Sequence, residues 1–362
     1  MELNYLVTGG AGFIGCALAA ELLRTADDAS QVSIAAVDCL HPQVHRTRSR
    51  PPALPQSASL NVMDINDARA WDEFLAAKRP RTVVHLAAET GTGQSLDLPT
   101  RHTHVNVTGT AQMLEAFDRS GHIPGHIVLA SSRAVYGEGY WIDPADGSEF
   151  AAGNRSVEQL RQAQFAIIAP SGAPARPLPH DHSMMFPMPS SVYGSTKLAQ
   201  EQILALWCAA RGVPLSVLRL QNVYGAGQSP DNPYTGIVGL FHQLAASKAS
   251  IPVYEDGAIG RDFIYIDDVA RCLAAAIAKP PAVKRVIDVG SGKAMTILEA
   301  AQAIAAFYDA PDPHITGAFR HGDIRWAVAA PGQLERELGE RAAISFGEGT
   351  ERLAEWLRGR KR

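Results

Sequence analysis

Thr8-Gly-Gly-Ala-Gly-Phe-Ile-Gly15 follows directly on the apolar run Leu3-Asn-Tyr-Leu-Val7 and leads into the helical stretch Cys16–Arg24. A short strand that breaks into glycines and resumes as a helix reads as the opening of a dinucleotide-binding βαβ unit. Gly9, Gly12 and Gly15 fall where the chain must turn tightly, let its backbone approach a pyrophosphate, and pack helix on strand. The helix N-terminus beyond them offers unpaired N–H groups and partial positive charge to phosphates. A second apolar strand, Val32–Val37, ends in Asp38. A carboxylate there accepts hydrogen bonds from the adenosine ribose and repels a 2′-phosphate, which favours NAD over NADP.

Outward from that unit, strand-like runs (Thr82–Ala87, His126–Ser131, Leu215–Leu220, Val286–Val289) alternate with helical ones (Asp67–Ala77, Thr100–Arg119, Ser195–Arg211). Short β-branched runs separated by longer helices predict an α/β fold, a Rossmann-like doubly wound parallel sheet. After Asn222 the pattern breaks into turns, short strands and helices such as Val238–Ser247 and Thr296–Phe307, which predicts a smaller C-terminal α/β substrate lobe. The expected division is 1–221 for the dinucleotide-binding domain and 222–362 for the lobe, with 267–290 returning to the first. Segment 138–190, rich in Ala, Pro, Gly and Ser, separates Ser132 from Tyr193. A loop of that length without structure reads as a lid or a mobile excursion, with one short helix over Val157–Ile167.

A chain of 362 residues can bury a large core. Its 33 basic and 37 acidic side chains leave a net charge of −4, so no strong field favours nucleic acid or an acidic membrane. The basic clusters His45–Arg50 and Arg358–Arg362 read as a solvated loop and a helix C-terminus. Cys16, Cys39, Cys208 and Cys272 form no Cys-x-x-Cys pair, and the histidines show no metal spacing, so no metal site is expected. No apolar stretch approaches the ~20 residues of a membrane helix. A soluble, cytoplasmic protein is expected.

Tyr193-Gly-Ser-Thr-Lys197 lies downstream of Val128-Leu-Ala-Ser-Ser132. Four-residue spacing on a helix sets a phenol and an ammonium on one face. A phenol is a poor base near neutral pH, and an adjacent cation moves it toward acid–base work. Ser132, at a strand end, can hold a substrate oxygen against that phenol.

Together these motifs resemble the extended short-chain dehydrogenase/reductases of the nucleotide-sugar epimerase and dehydratase group. The resemblance runs from Tyr5 to about Arg325 and rests also on Met63-Asp64-Ile65, His85-Leu-Ala-Ala88, Val135-Tyr-Gly137, Arg219 to Gly225 and Arg261 to Asp268. The less general strings Glu89–Ser95, Gln221–Ser229 and Asn232–Gly236 are most similar to dTDP-L-rhamnose 4-epimerases. The resemblance implies NAD held by Gly9, Gly12, Phe13, Ile14, Gly15, Asp38, Asp64, Ile65, Leu86, Ala87 and Ala88, with Tyr193 and Lys197 at its nicotinamide end. It implies a nucleotide-diphosphate sugar held by Thr90, Ser132, Arg133, Asn222, Arg261 and Arg325. Ser132, Tyr193 and Lys197 are the implied catalytic residues. Tyr193 takes a proton from the sugar hydroxyl as hydride passes to NAD, and hydride returns to the opposite face of a rotated 4-keto sugar.

Related dehydratases carry an Asp-Glu pair directly after the strand-end hydroxyl, and decarboxylases a Glu; this chain has Arg133 and Ala134 there. That leaves epimerisation or simple oxidoreduction at C4. Sugar and base stay open between dTDP-, UDP- and GDP-linked substrates, and a non-catalytic NAD sensor is the alternative of another class. The resemblance implies that segment 138–190 is an insertion. Rhamnose epimerases often carry cysteine pairs in it, and this chain has none. The family also implies a homodimer serving polysaccharide biosynthesis, with Leu114, Phe117, Ile203, Leu206 and Trp207 in a shared four-helix core.

Overall fold

Alternation along each strand builds the sheet: in Glu2–Thr8 (β1), Leu6 and Val7 are both buried, one in the core on each face. The computed structural model describes residues 2–229, 236–320 and 322–359. Most of the string Asn232–Gly236 and the last residues of the basic C-terminal cluster lie outside them. Ile34–Asp38 (β2), Ser59–Val62 (β3), Arg79–His85 (β4), His126–Ser132 (β5), Leu215–Leu220 (β6) and Lys284–Val289 (β7) complete a seven-stranded sheet. Its order is β7-β6-β5-β4-β1-β2-β3 and every pairing is parallel. The order reverses between β1 and β4, so the carboxyl ends of those strands open the crevice where such sheets take ligands. The run 284–289 does return to the main sheet, pairing along β6 from Lys284 to Val289. Strand β3 is an addition to the sequence expectation: half-exposed at the sheet edge, it has no apolar run to announce it.

Helices Phe13–Thr25 (α1), Ala68–Ala77 (α2), Gly109–Ser120 (α3), Val192–Arg211 (α4) and Ile266–Ala278 (α5) cover the two faces. Leu18, Leu22, Val269 and Leu273 of α1 and α5 meet Val84, Val128 and Leu218 on one side. Trp71, Phe74, Met113, Phe117 and Leu204 of α2, α3 and α4 meet Val83, Ile127, Leu129 and Val217 on the other. The predicted helix 100–119 is interrupted: Pro99–Thr103 passes through a π-helical turn, His104–Thr108, before α3 begins. Leu114 and Phe117 are buried in the parent core, and Ile203 and Trp207 pack against it, so these four cover their own sheet. Leu206, 75% exposed, alone of the proposed interface set faces outward.

The C-terminal lobe has its own core of Tyr224, Phe241, Phe263, Tyr265 and Ile304, against which Phe13 and Ile14 of α1 also pack. The insertion is not the structureless loop that its composition suggests. Tyr140–Ile142 pairs antiparallel with both Glu149–Ala151 and Arg176–Pro177, and a short helix covers only Val157–Arg161. Trp141, Ala152 and Ile167 form a small core that Trp326 of the lobe joins. Among the described residues no helix is long and apolar enough to cross a membrane.

Polar groups lock α4 onto the sheet. Glu201 takes Arg219 Nε and Nη2 at 3.0 and 2.7 Å and the Ser131 hydroxyl at 2.5 Å. Arg219 Nη1 donates to the Tyr136 hydroxyl at 2.8 Å, which donates to Asp288 at 2.7 Å. All five groups are buried. Removing one partner strands the others, so Arg219→Met is expected to cost about 3–5 kcal/mol, read by urea denaturation. A loss under 1 kcal/mol would show that α4 is held by apolar packing alone.

Candidate active site

Thr8 ends β1 and Gly9 turns with φ +66°; a Cβ there would lie 2.8 Å from the Ala87 nitrogen. A Cβ on Gly15 would lie 2.6 Å from Gly10 Cα and the Gly9 carbonyl, so both positions require glycine for close approach. At Gly12 an added Cβ meets only the Gly9 oxygen, at 3.1 Å, and otherwise open space. That open side lies at the start of α1, which has no side-chain cap and no acidic residue in its first turn. By contrast Asp67 caps α2 and Ser191 caps α4. An uncapped N-terminus over a bare glycine backbone fits a dinucleotide pyrophosphate.

Asp38 stands at the end of β2, partly exposed. Its carboxylate accepts the Ala11 N–H at 3.1 Å and the Leu40 N–H at 2.9 Å, and His45 Nε2 lies 3.7 Å away. The carboxylate is thus fixed by the glycine turn with acceptor capacity to spare for ribose hydroxyls. Leu86, Ala87 and Ala88 leave β4 beside the turn, the Leu86 and Ala87 N–H groups bonded to Thr8. Ile65 is buried beneath Gly109, whose Cβ would strike it at 2.5 Å, and Asp64 is exposed, holding Asn66 in a turn. The helix cap at this point is Asp67.

At the carboxyl ends of β5 and β6 the Ser132 hydroxyl lies beside the Tyr193 phenol and accepts the Ala134 N–H at 3.1 Å. Burial raises the Tyr193 pKa, and the Ser132 hydroxyl and the Arg133 charge pull it back down. Arg133 is thus a second cation, beside the Lys197 that the sequence pointed to, whose charge favours the phenolate. Burial drops the Lys197 pKa to about 7, and its Nζ is bound to Gln200 Oε1. Gln200 Nε2 donates to Thr110 at 2.8 Å, His85 Nε2 lies 2.9 Å from the same hydroxyl, and His85 Nδ1 lies 2.7 Å from Thr8 Oγ1. Burial, with the Lys197 charge, holds His85 neutral with a pKa of about 3. A continuous buried polar path thus runs from the glycine turn to Lys197.

Three groups that sequence reasoning missed hold Tyr193 in place. Ser95 Oγ accepts the Tyr193 N–H at 3.0 Å. Asn106, in the π-helical turn, bonds Glu89 through both amide atoms and donates to Thr196 Oγ1 at 2.9 Å. Thr196 in turn donates to the Tyr193 carbonyl. Ser95 and Thr196 lie inside the strings Glu89–Ser95 and Tyr193–Lys197, but nothing local in the sequence marks Asn106. Thr90 lies in the loop that Asn106 fastens, and Arg101 pairs with its neighbour Glu89 at 2.7 Å.

On the substrate side Arg133 Nε donates to Asn222 Oδ1 at 2.8 Å, while the buried Nη1 has no partner among the described residues. Burial, then the nearby Arg261 charge, lowers the Arg133 pKa to about 9. Arg261 holds Asp323 at 2.7 Å, and Arg325 bonds Asp256 through both terminal nitrogens and Glu255 at 2.9 Å. Arg133, Asn222 and Arg261 converge as a cationic wall of the kind that takes a diphosphate.

The NAD dependent epimerase/dehydratase family profile matches residues 5–290. A dTDP-L-rhamnose 4-epimerase of Burkholderia thailandensis is 48% identical over 97% of this chain and 94% of its own. The Thermus thermophilus UDP-glucose 4-epimerase, solved in complex with NAD, superposes with TM-score 0.77 at 26% identity over 99% of both chains. The Thermotoga maritima UDP-glucose 4-epimerase, solved with UDP-glucose, shares the fold with TM-score 0.79 at 24% identity, over 99% of this chain and all of that one.

Lys197 provides a pH test of this geometry. Its ordinary pKa of 10.5 falls to about 7 on folding, so between those values the unfolded chain binds a proton that the folded chain gives up. Stability conferred by this group therefore rises with pH across that window. Lys197→Met, without cofactor, is expected to melt a few degrees above the parent at pH 6.5, with the gap closing toward pH 10. A gap independent of pH refutes the assignment.

Proposed function

The chain belongs to the NAD dependent epimerase/dehydratase family, and we propose that it inverts C4 of dTDP-L-rhamnose to give dTDP-6-deoxy-L-talose. The observation that carries the reaction type is the Ser132 hydroxyl set beside the Tyr193 phenol, with Arg133 and Ala134 directly after Ser132. Water loss across C5–C6 needs an acid for the leaving hydroxyl and a base for the C5 proton; a guanidinium and a methyl group provide neither. Thymidine diphosphate and rhamnose are supported by the 48% identical relative over nearly the whole chain.

Bound NAD supplies the transient oxidation of C4 and its reversal, so net redox is zero. Tyr193, ionised, accepts the proton of the C4 hydroxyl and later returns it to the oxygen of the inverted centre. Ser132 holds that oxygen, and Arg133 stabilises both the phenolate and negative charge developing on it. Lys197, anchored by Gln200, holds the nicotinamide ribose. Gly9, Gly12, Phe13, Ile14, Gly15 and Asp38 hold the rest of the dinucleotide, with Asp64, Ile65 and Leu86 to Ala88 along the adenine side. Asn222, Arg261 and Arg325 hold the diphosphate, and Thr90 the sugar.

The enzyme is a cytoplasmic homodimer in this reading. The exposed Leu206 on α4 supports pairing across that face. A monomer by light scattering at micromolar concentration counts against it.

Incubated with dTDP-L-rhamnose, the enzyme is expected to yield the C4 epimer without added NAD and without releasing NADH, product stereochemistry being read by NMR. Solvent deuterium stays out of C4; its entry at C3 or C5 would mean enolisation and a different class of epimerase. Tyr193→Phe is expected to lower turnover ~10²–10⁴-fold while retaining NAD. Near-normal turnover in that variant excludes the mechanism.

A further inference from the structure

The insertion reaches the substrate side through one side chain. Arg155 is buried, and each of its guanidinium nitrogens is engaged. Nε donates to Glu138 at 3.0 Å, Nη1 to Glu255 at 2.7 Å and to the Phe165 carbonyl at 3.1 Å, and Nη2 to the Asp323 carbonyl at 2.8 Å. Two of these contacts are inside the segment 138–190, and two cross to the lobe.

Both lobe contacts end on the partners of substrate-side arginines. Glu255 Oε2, which Arg155 takes, is the oxygen that Arg325 Nη1 takes at 2.9 Å. Asp323, whose carbonyl Arg155 holds, presents its carboxylate to Arg261 at 2.7 Å. Glu138 completes the frame by accepting the Arg325 backbone N–H at 2.7 Å. The two lobe arginines also share a local sheet, Gly260–Arg261 pairing parallel to Trp326–Ala327, and Trp326 packs on the insertion core.

The frame is held against local cost. Glu255 adopts φ +52°, a left-handed conformation that strains a side-chain-bearing residue. Its Oε1 is buried with no partner among the described residues. A strained, buried carboxylate between two arginines persists when the surroundings over-determine it, and such sites are associated with pre-organised ligand contacts.

We propose that Arg155 is a positioning residue for nucleotide recognition: through Glu255 and Asp323 the insertion fixes Arg325 and Arg261 in the geometry that receives the substrate diphosphate. The insertion is thus a fixed brace on the binding wall. Fixing long arginine side chains before binding removes rotamer entropy that the substrate would otherwise have to overcome, so the gain appears in affinity. The reacting carbon is held by Ser132 and Tyr193, and Arg155 contacts neither, so the chemical step is untouched. The inference rests on the nucleotide-sugar reading above.

The test titrates the NAD-loaded enzyme with thymidine diphosphate and uridine diphosphate by calorimetry, alongside steady-state epimerisation. Arg155→Lys keeps the charge but cannot reach all four acceptors, and is expected to weaken diphosphate binding and raise KM about tenfold with kcat within about threefold. Arg155→Met/Glu138→Gln removes one charge of each sign, which guards against a folding failure, and is expected to show a larger loss of the same kind at unchanged NAD content. Unaltered diphosphate affinity in either folded variant overturns the proposal, as does a fall in kcat at constant KM. Parent enzyme that binds uridine but not thymidine diphosphate overturns the thymidine assignment, and the Arg155 comparison then proceeds with the nucleotide that binds. Parent enzyme that binds neither overturns both readings.

Discussion

The bidentate pair between Glu201 and Arg219 is the constraint on which the active site depends. Tyr193 and Lys197 ride on one helix, and their usefulness turns on where that helix sits over the carboxyl ends of β5 and β6. Apolar contacts through Leu204 and Cys208 press the helix onto the sheet but leave sliding and rotation weakly specified. Glu201 removes that freedom, because it reaches Ser131 on β5 and Arg219 on β6 at the same time. Ser131 precedes Ser132, so one carboxylate sets the helix bearing the phenol and the strand bearing the hydroxyl beside it. Arg219, Tyr136 and Asp288 extend the lock to β7. Such a buried chain is a poor source of net stability but gives one register and no neighbouring ones.

How much of this was legible in the chain follows from how local each determinant is. The glycine turn, Asp38 and the Tyr193–Lys197 spacing are short-range features whose chemistry depends on a few consecutive residues, and each lies in the expected element. The return of Val286–Val289 was legible too, because its apolar character suits a strand with both faces covered. Strand β3 was not, since an edge strand with half its residues in solvent carries no periodic signal. The insertion was opaque for a different reason. Its fold rests on polar contacts between residues 17, 100 and 187 positions apart: ion pairs of Arg155 with Glu138 and with Glu255, and the Arg325 backbone N–H given to Glu138. Composition rich in small residues suggested a loop, and long-range charge pairing made it a structure. Asn106 and Gln200 were hidden likewise, because the satisfaction of a buried amide is a property of the assembled site.

The Arg133 charge near Tyr193 has a chemical logic. A general acid after the strand-end hydroxyl, as in dehydratases, must exchange its proton during turnover and so must titrate near working pH. Arg133, even depressed to about 9, is a cation at neutral pH and gives up no proton there. Set beside the phenol it stabilises phenolate before oxidation, and the same charge favours the oxyanion during the return. Inversion at C4 needs those two stabilisations and no proton beyond the one Tyr193 shuttles. A permanent cation next to the shuttle therefore suits a reaction that begins and ends at the same oxidation level. It also opposes elimination, which needs an anionic base at C5 and a proton donor at C6. In this chain Arg133 supports one outcome and hinders the other, and Ala134 offers no base, so the choice between the two chemistries rests on the two side chains directly after β5.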